Sequence, residues 1–156
     1  MHDRILAALA ATDQPLATFR AVDAALAETP GHILFTVLVH HRAARQSERF
    51  YSNRPDAYPV GGRKPVTDSA WMQRVIHGGQ PYIGRTREDI AANFFDHALI
   101  NSLGCESILN MPVRWNGQTL GTLNLCHRAG HYAESHLPQI RLIAQLAAPA
   151  VLMVDG

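Results

Sequence analysis

The sequence is poor in cysteine. Its 156 residues hold two, Cys105 and Cys126, which do not make a disulfide framework and agree with a reducing compartment. Charge of one sign is also lacking: 14 lysines and arginines against 13 acidic residues give a net +1, scattered along the chain. That leaves no electrostatic footprint for nucleic acid or a membrane surface, and neither partner is expected. No apolar run approaches a membrane span, and the opening MHDRILAALAATDQP lacks the basic start and unbroken apolar core of a secretory signal. The expected location is cytoplasmic. Repeats and low-complexity tracts are absent as well. What is present, 47% hydrophobic residues in a chain of this length, has the size and content of one globular domain over residues 1–156, with no output domain appended.

The first thirty residues place Ile5, Leu6, Leu9, Leu16, Phe19, Val22 and Leu26 at helical spacing, in one broken helix or two, with Thr12 or Asp13 as cap before Pro15. HILFTVLVHH (32–41) and SERFYSN (47–53) read as an antiparallel strand pair. RPDAYPVGGRKPVTD then reads as a loop, in which GGRK (61–64) turns the chain. SAWMQRVIHGG reads as a helix capped by Thr67 or Asp68 and stopped at Gly78-Gly79, and PYIG as a short strand. TREDIAAN, capped by Thr86, and FDHALINSLG, stopped at Gly104, read as short helices. A hairpin follows, then a helix from about Glu134 to Met153.

The hairpin SILNMPVRWNGQTLGTLNLCHR (107–128) carries one asparagine in each apolar strand, Asn110 and Asn124. If Asn116-Gly117 alone forms the turn, Leu109 faces Asn124 and Asn110 faces Leu123, which mixes amides and leucines on both faces. If Trp115-Asn116-Gly117 forms a three-residue loop with a glycine bulge, Leu109 meets Leu123, Met111 meets Gly121 and Ser107 meets Leu125. The second register gives one apolar face and one carrying Ile108, Asn110, Thr122, Asn124 and Cys126, and it is adopted because a one-residue slip turns every side chain to the wrong side. It also sets Glu106 opposite Cys126 and turns Cys105 to the other face, so that a Cys105–Cys126 disulfide requires distortion. A sheet with unlike faces implies terminal helices over the apolar one and loops or short helices over the mixed one, with room for a pocket beneath them. Buried amides need partners, here loop backbone, water or a ligand. The alternative is that the loops satisfy both and no ligand exists.

This element order, together with LGCESILNMPVRWNGQTLGTLNL, resembles the GAF domain family across nearly the whole chain. The hairpin carries the most specific part, in Ser107, Pro112, Gly117, Gly121 and Leu123. The resemblance implies an α/β (α+β) fold: a central antiparallel sheet of about six strands between terminal helices and a layer of loops and short helices covering a pocket. It also implies sensing of small molecules and dimerisation. Under it the helix around Trp71 and His77 becomes a pocket wall, with Tyr82, Phe94, Phe95 and His97 as further lining; otherwise Trp71 and Val75 simply anchor that helix. ANFFDH (92–97) lacks the lysine and acidic ending of the cyclic-nucleotide-binding signature. No cysteine lies between Trp71 and Gly104, where bilin-attaching members need one. The free methionine sulfoxide reductases of this fold use loop cysteines and hairpin carboxylates, but here Ile108 and Asn124 stand where the carboxylates are expected.

Cys126, His127, His131 and His136 are soft-metal ligand types, but neighbours on a strand point to opposite faces, so no metal site is assigned. No cofactor and no catalytic residue is assigned either. The expected function is a sensory or regulatory module that binds a small polar or amphipathic molecule, associates as a homodimer and acts through a protein partner. The alternatives are a thiol-based redox enzyme using Cys105 or Cys126, and a purely structural dimer. The dimer expectation rests on ILAALAA and IAQLAAPAVLMV, which are more apolar than one sheet face needs.

Overall fold

The computed structural model describes residues 2–155. Two helices open the chain, α1 (His2–Ala10) and α2 (Leu16–Glu28). The expected Thr12 or Asp13 cap is not used; α2 starts at Leu16 with no side-chain cap, and Gln14 folds back so that its Nε2 donates to the Ala8 carbonyl at 2.6 Å. Strands β1 (Leu34–His41) and β2 (Gln46–Ser52) pair antiparallel. The loop after them holds a strand that its glycines and prolines conceal, β3 (Arg63–Pro65), paired along β2.

Next comes α3 (Ala70–Met72), capped by Ser69 rather than Thr67 or Asp68, and it opens into a π-helical turn, Gln73–His77. Strand β4 (Tyr82–Gly84) and helices α4 (Arg87–Asn93) and α5 (His97–Ser102) follow, with Thr86 capping α4 as expected. The hairpin is β5 (Ser107–Trp115) and β6 (Gln118–His127). The expected terminal helix is instead a 3₁₀ turn followed by α6 (Leu137–Leu146) and α7 (Ala148–Val154), bent by 50° at the break. No single helix among the described residues is long and apolar enough to cross a membrane.

The strands form one six-stranded sheet in the order β3-β2-β1-β6-β5-β4. Phe35, Val37 and Val39 of β1, Leu109, Met111 and Val113 of β5, and Leu123 and Leu125 of β6 face the terminal helices, where they meet Phe19, Val22, Ile140, Ile143 and Val151. Period-two alternation puts Leu34, Thr36 and Leu38, and Ile108, Asn110, Asn124 and Cys126, on the opposite face. Gly121 lies where β6 approaches β1 most closely: a Cβ there would come within 2.2 Å of the Leu38 carbonyl oxygen. Pro112 lies beyond the end of β4, where β5 has a neighbour on one edge only, which suits a residue without an N–H.

The hairpin corrects the expected register. Asn116 and Gly117 both have positive φ, 52° and 73°, and Trp115 faces Gln118, so the two-residue turn is the one that forms. A bulge between Val113 and Arg114 then opposes two residues, Leu120 among them, to one, and beyond it Leu109 faces Leu125 and Met111 faces Leu123. The turn follows Asn-Gly chemistry, while the bulge restores the parity that burial demands. Both requirements are met, and Asn110 lies directly opposite Asn124.

Candidate functional site

A cavity of about 300 Å³ lies between the mixed face of the sheet and the covering layer. Leu34, Thr36 and Leu38 of β1 form one wall; Ile108, Asn110, Asn124 and Cys126 form the floor. The roof is built from Trp71, edge-on to Phe94 with ring centroids 5.5 Å apart, and from Tyr58, whose hydroxyl donates to the Asp96 carboxylate. Phe95, 80% exposed, stands at the mouth beneath the Lys64 ammonium, 3.9 Å from its ring centroid.

The two amides form a chain. Trp71 Nε1 donates to Asn110 Oδ1 at 3.0 Å, and Asn110 Nδ2 donates to Asn124 Oδ1 at 2.7 Å. Asn124 Nδ2 in turn reaches the Thr36 hydroxyl at 3.3 Å and the Thr122 carbonyl at 3.3 Å. The expectation that loop backbone, water or a ligand satisfies these amides is therefore corrected: direct opposition across the hairpin lets them satisfy each other, and the roof is tied to the floor through an indole. Asn110 Oδ1 keeps acceptor capacity, since a carbonyl oxygen has two lone pairs and the indole engages one.

Charge enters at one side. Arg49 lies over the Tyr58 ring, its guanidinium carbon 3.9 Å from the centroid, and its buried Nε has no hydrogen-bond partner. Burial lowers the Arg49 pKa and raises that of Asp96, while the two opposite charges offset part of each effect. An arginine N–H left unpaired against a cavity suits a ligand oxygen.

Of the residues expected in the pocket, Trp71, Phe95, Ile108, Asn110, Asn124 and Cys126 line it. Thr122 has the right face but is fully buried with an unpartnered Oγ1, in a stretch of β6 covered by the π-helical turn. His77 ends that turn beyond the cavity, and its Nε2–H donates to the Thr67 carbonyl at 3.2 Å. Tyr82 begins the edge strand, with its hydroxyl held by Asn93 Nδ2 at 2.9 Å, and His97 begins α5 outside the lining. Sequence reasoning misses Thr36, Arg49, Tyr58 and Lys64, because Thr36 and Arg49 lie in strands read without an assigned facing and Tyr58 and Lys64 in a stretch read as a loop. ANFFDH, where Phe94 and Phe95 are the expected lining, supplies Asn93 and Asp96 as well.

The cysteines require a second correction. The register places Ile108, not Glu106, opposite Cys126, and both thiols are buried in one cluster on the pocket side, hydrogen-bonded to each other. They are free thiols. The bond from Cys126 draws the Cys105 pKa down, while the same bond and complete burial push Cys126 up. His127 points away from that cluster and stacks on His131 at 3.7 Å. Among the described residues no group of three or more ligand-type side chains is placed to hold a metal.

The sequence profile of the GAF domain matches residues 3–151. The chain is a GAF domain. Solved structures agree in fold: the GAF domain of a phosphoenolpyruvate-protein phosphotransferase from Coxiella burnetii superimposes with a TM-score of 0.75 at 15% identity, covering 97% of this chain and 90% of that one. The corresponding Acinetobacter domain gives 0.74 at 9% identity, covering 97% and 90%. A type II free methionine-R-sulfoxide reductase from Thermoplasma acidophilum gives 0.65 at 16%, covering 86% and 88%. No curated protein matches the chain. GAF domains commonly serve as sensory or ligand-binding modules in signalling proteins.

Proposed function

We propose that this GAF domain is a sensory or regulatory module that binds a small neutral or zwitterionic amphipathic molecule, acts as a homodimer and signals through a protein partner without catalysing a reaction. The observation that carries the reading is the cavity itself: apolar walls, an amide floor and the unpartnered Arg49 Nε on one side. Such a combination holds an apolar body and orients one oxygen-bearing group. Denaturing the purified native protein and analysing the released small molecules by mass spectrometry tests it. One amphipathic compound in near-stoichiometric amount is expected, and it should be missing from Leu38→Trp, whose indole fills the cavity; equal recovery from both proteins contradicts the reading.

The dimer is supported by exposed apolar side chains on the terminal helices: Leu6 on α1, Leu142 on α6, and Leu152 and Met153 on α7. Large apolar side chains gathered on one layer mark an interface more often than a free surface. Light scattering at micromolar concentration is expected to give twice the monomer mass for the native chain and the monomer mass for Leu142→Glu. A native monomer contradicts the assignment.

One observation favours a second reading, a thiol-based reductase: the contact between Cys105 and Cys126 beside the pocket. In that reading the Cys105 thiolate attacks a sulfoxide sulfur, Cys126 closes the disulfide, and a sulfide and water leave, with an external dithiol restoring both thiols. The hairpin carries Ile108 and Asn124 rather than carboxylates for a substrate amine, and the contact with Cys105, together with burial, pushes the Cys126 thiol up. Under the proposed function, free methionine sulfoxide with dithiothreitol gives no consumption of thiol above background; sustained turnover, abolished by Cys105→Ser, would install the reductase reading instead.

A further inference from the structure

A second cavity, of about 430 Å³, lies at the hairpin end of the same sheet face, and its lining is basic. Arg42 and Arg45 come from the β1–β2 turn, Arg114 from β5, His40 from β1 and His77 from the π-helical turn. No carboxylate lines it. The acidic groups nearest in the structure are already engaged: Asp155 accepts from the Arg42 backbone N–H at 3.0 Å and from its guanidinium, and Asp68, outside the lining, lies 3.6 Å from His77. Of the three guanidinium groups only Arg42 is paired with a carboxylate, which leaves a surplus of two positive charges on Arg45 and Arg114.

The guanidinium groups are held in different ways. Arg42 Nη1 donates to Gln118 Oε1 at 2.6 Å, and Arg114 is braced by the Thr119 hydroxyl at 2.7 Å and the Gly117 carbonyl at 3.1 Å. Those contacts use part of each fork and fix its direction. Arg45, exposed at a turn, bonds Arg42 and Val66 through its backbone, while its guanidinium has no hydrogen bond or ion pair among the described residues. His40 carries the independent sign of a missing partner: neither ring nitrogen, both shielded from solvent, has a hydrogen bond, since the Thr119 backbone lies near enough to polarise the ring but out of bonding geometry. Native structures rarely leave such atoms unpaired.

We propose that this cavity is a binding site for a small, multiply charged oxyanion, with Arg42, Arg45 and Arg114 meeting its oxygens and a His40 N–H donating to it. Guanidinium forks match phosphate and carboxylate oxygens in geometry as well as charge, and a dianion balances the surplus. Val66 and Ile76 line both cavities, so the sites share a wall, yet the oxyanion site does not depend on what the amphipathic pocket binds.

The test is a thermal-shift and calorimetric titration of the full chain with inorganic phosphate, pyrophosphate and citrate, against sodium chloride of matched ionic strength. At least one of the three is expected to bind saturably where chloride does not; strength for pyrophosphate over citrate assigns the site to phosphate esters, and the reverse order to polycarboxylates. Arg45→Ala, which removes no structural contact, is expected to weaken binding about tenfold, the worth of one charge-assisted hydrogen bond, without moving the melting temperature of the free protein. His40→Leu is expected to raise the melting temperature of the free protein and to lower affinity. Binding that matches chloride, or saturable binding unaffected by Arg45→Ala and His40→Leu, overturns the proposal.

Discussion

Gly121→Ala is expected to destabilise the protein by about 3 kcal/mol or more, at the upper end of what overpacking costs. The added methyl group would lie 2.2 Å from the Leu38 carbonyl oxygen, and that oxygen is backbone in the neighbouring strand rather than the end of a flexible side chain. Relief requires β1 and β6 to separate at the centre of the sheet, where Val39 faces Gly121. For a domain of this size the change corresponds to roughly 6–12 °C in melting temperature, which calorimetry resolves. Gly117→Ala is the control. Its Cβ meets nothing within 4 Å, but the residue has φ of 73°, so only the left-handed backbone penalty of about 1 kcal/mol is expected. Equal effects at the two positions would mean that close approach is not what reserves position 121 for glycine.

Asn124→Leu is expected to cost about 2–3 kcal/mol, because it leaves the Asn110 amide donor buried and unpaired rather than merely deleting one bond. Asn110→Leu should cost as much, since the Trp71 indole N–H loses its acceptor at the same time. The double substitution should cost less than the sum of the two, because the facing amides disappear together and leave each other no orphan. Urea unfolding of the four proteins gives the coupling directly. Additive costs would show that the amides act independently, contrary to the geometry.

How much of this was legible in the sequence follows from which forces the relevant residues obey. Alternation along 107–127 assigned Asn110, Asn124, Ile108 and Cys126 to one face, since parity is a local property of a strand. The register was not local: the Asn-Gly turn and the buried leucines demanded different pairings, and the bulge at Leu120 that reconciles them leaves no mark in composition. The mistaken side for Cys105 has another origin: β5 begins only at Ser107, so strand alternation does not govern Cys105. Ser69 rather than Thr67 caps the short helix, and three candidate caps in a row are separable only by tertiary placement. Arg49 enters the pocket from β2, whose facing its sequence does not announce, and Tyr58 and Lys64 enter through the segment that folds back over the sheet with β3 pairing as its anchor; an RKP triplet after two glycines gives no strand pattern to read. The GAF family resemblance, by contrast, was carried by the hairpin motif and element order, and the profile match over residues 3–151 bears it out.

The central claim is that the cavity above Asn110 and Asn124 receives a small amphipathic molecule, and a thermal-shift panel on the native chain and Leu38→Trp tests it most directly. The panel spans neutral, zwitterionic and anionic amphipathic metabolites, and Leu38 is chosen because its side chain lines the cavity while remaining partly exposed. At least one neutral or zwitterionic compound is expected to stabilise the native chain in a concentration-dependent way and to have no effect on the filled variant. If no compound shifts the native chain and Leu38→Trp is the more stable protein, the cavity is a packing defect and the module binds nothing there.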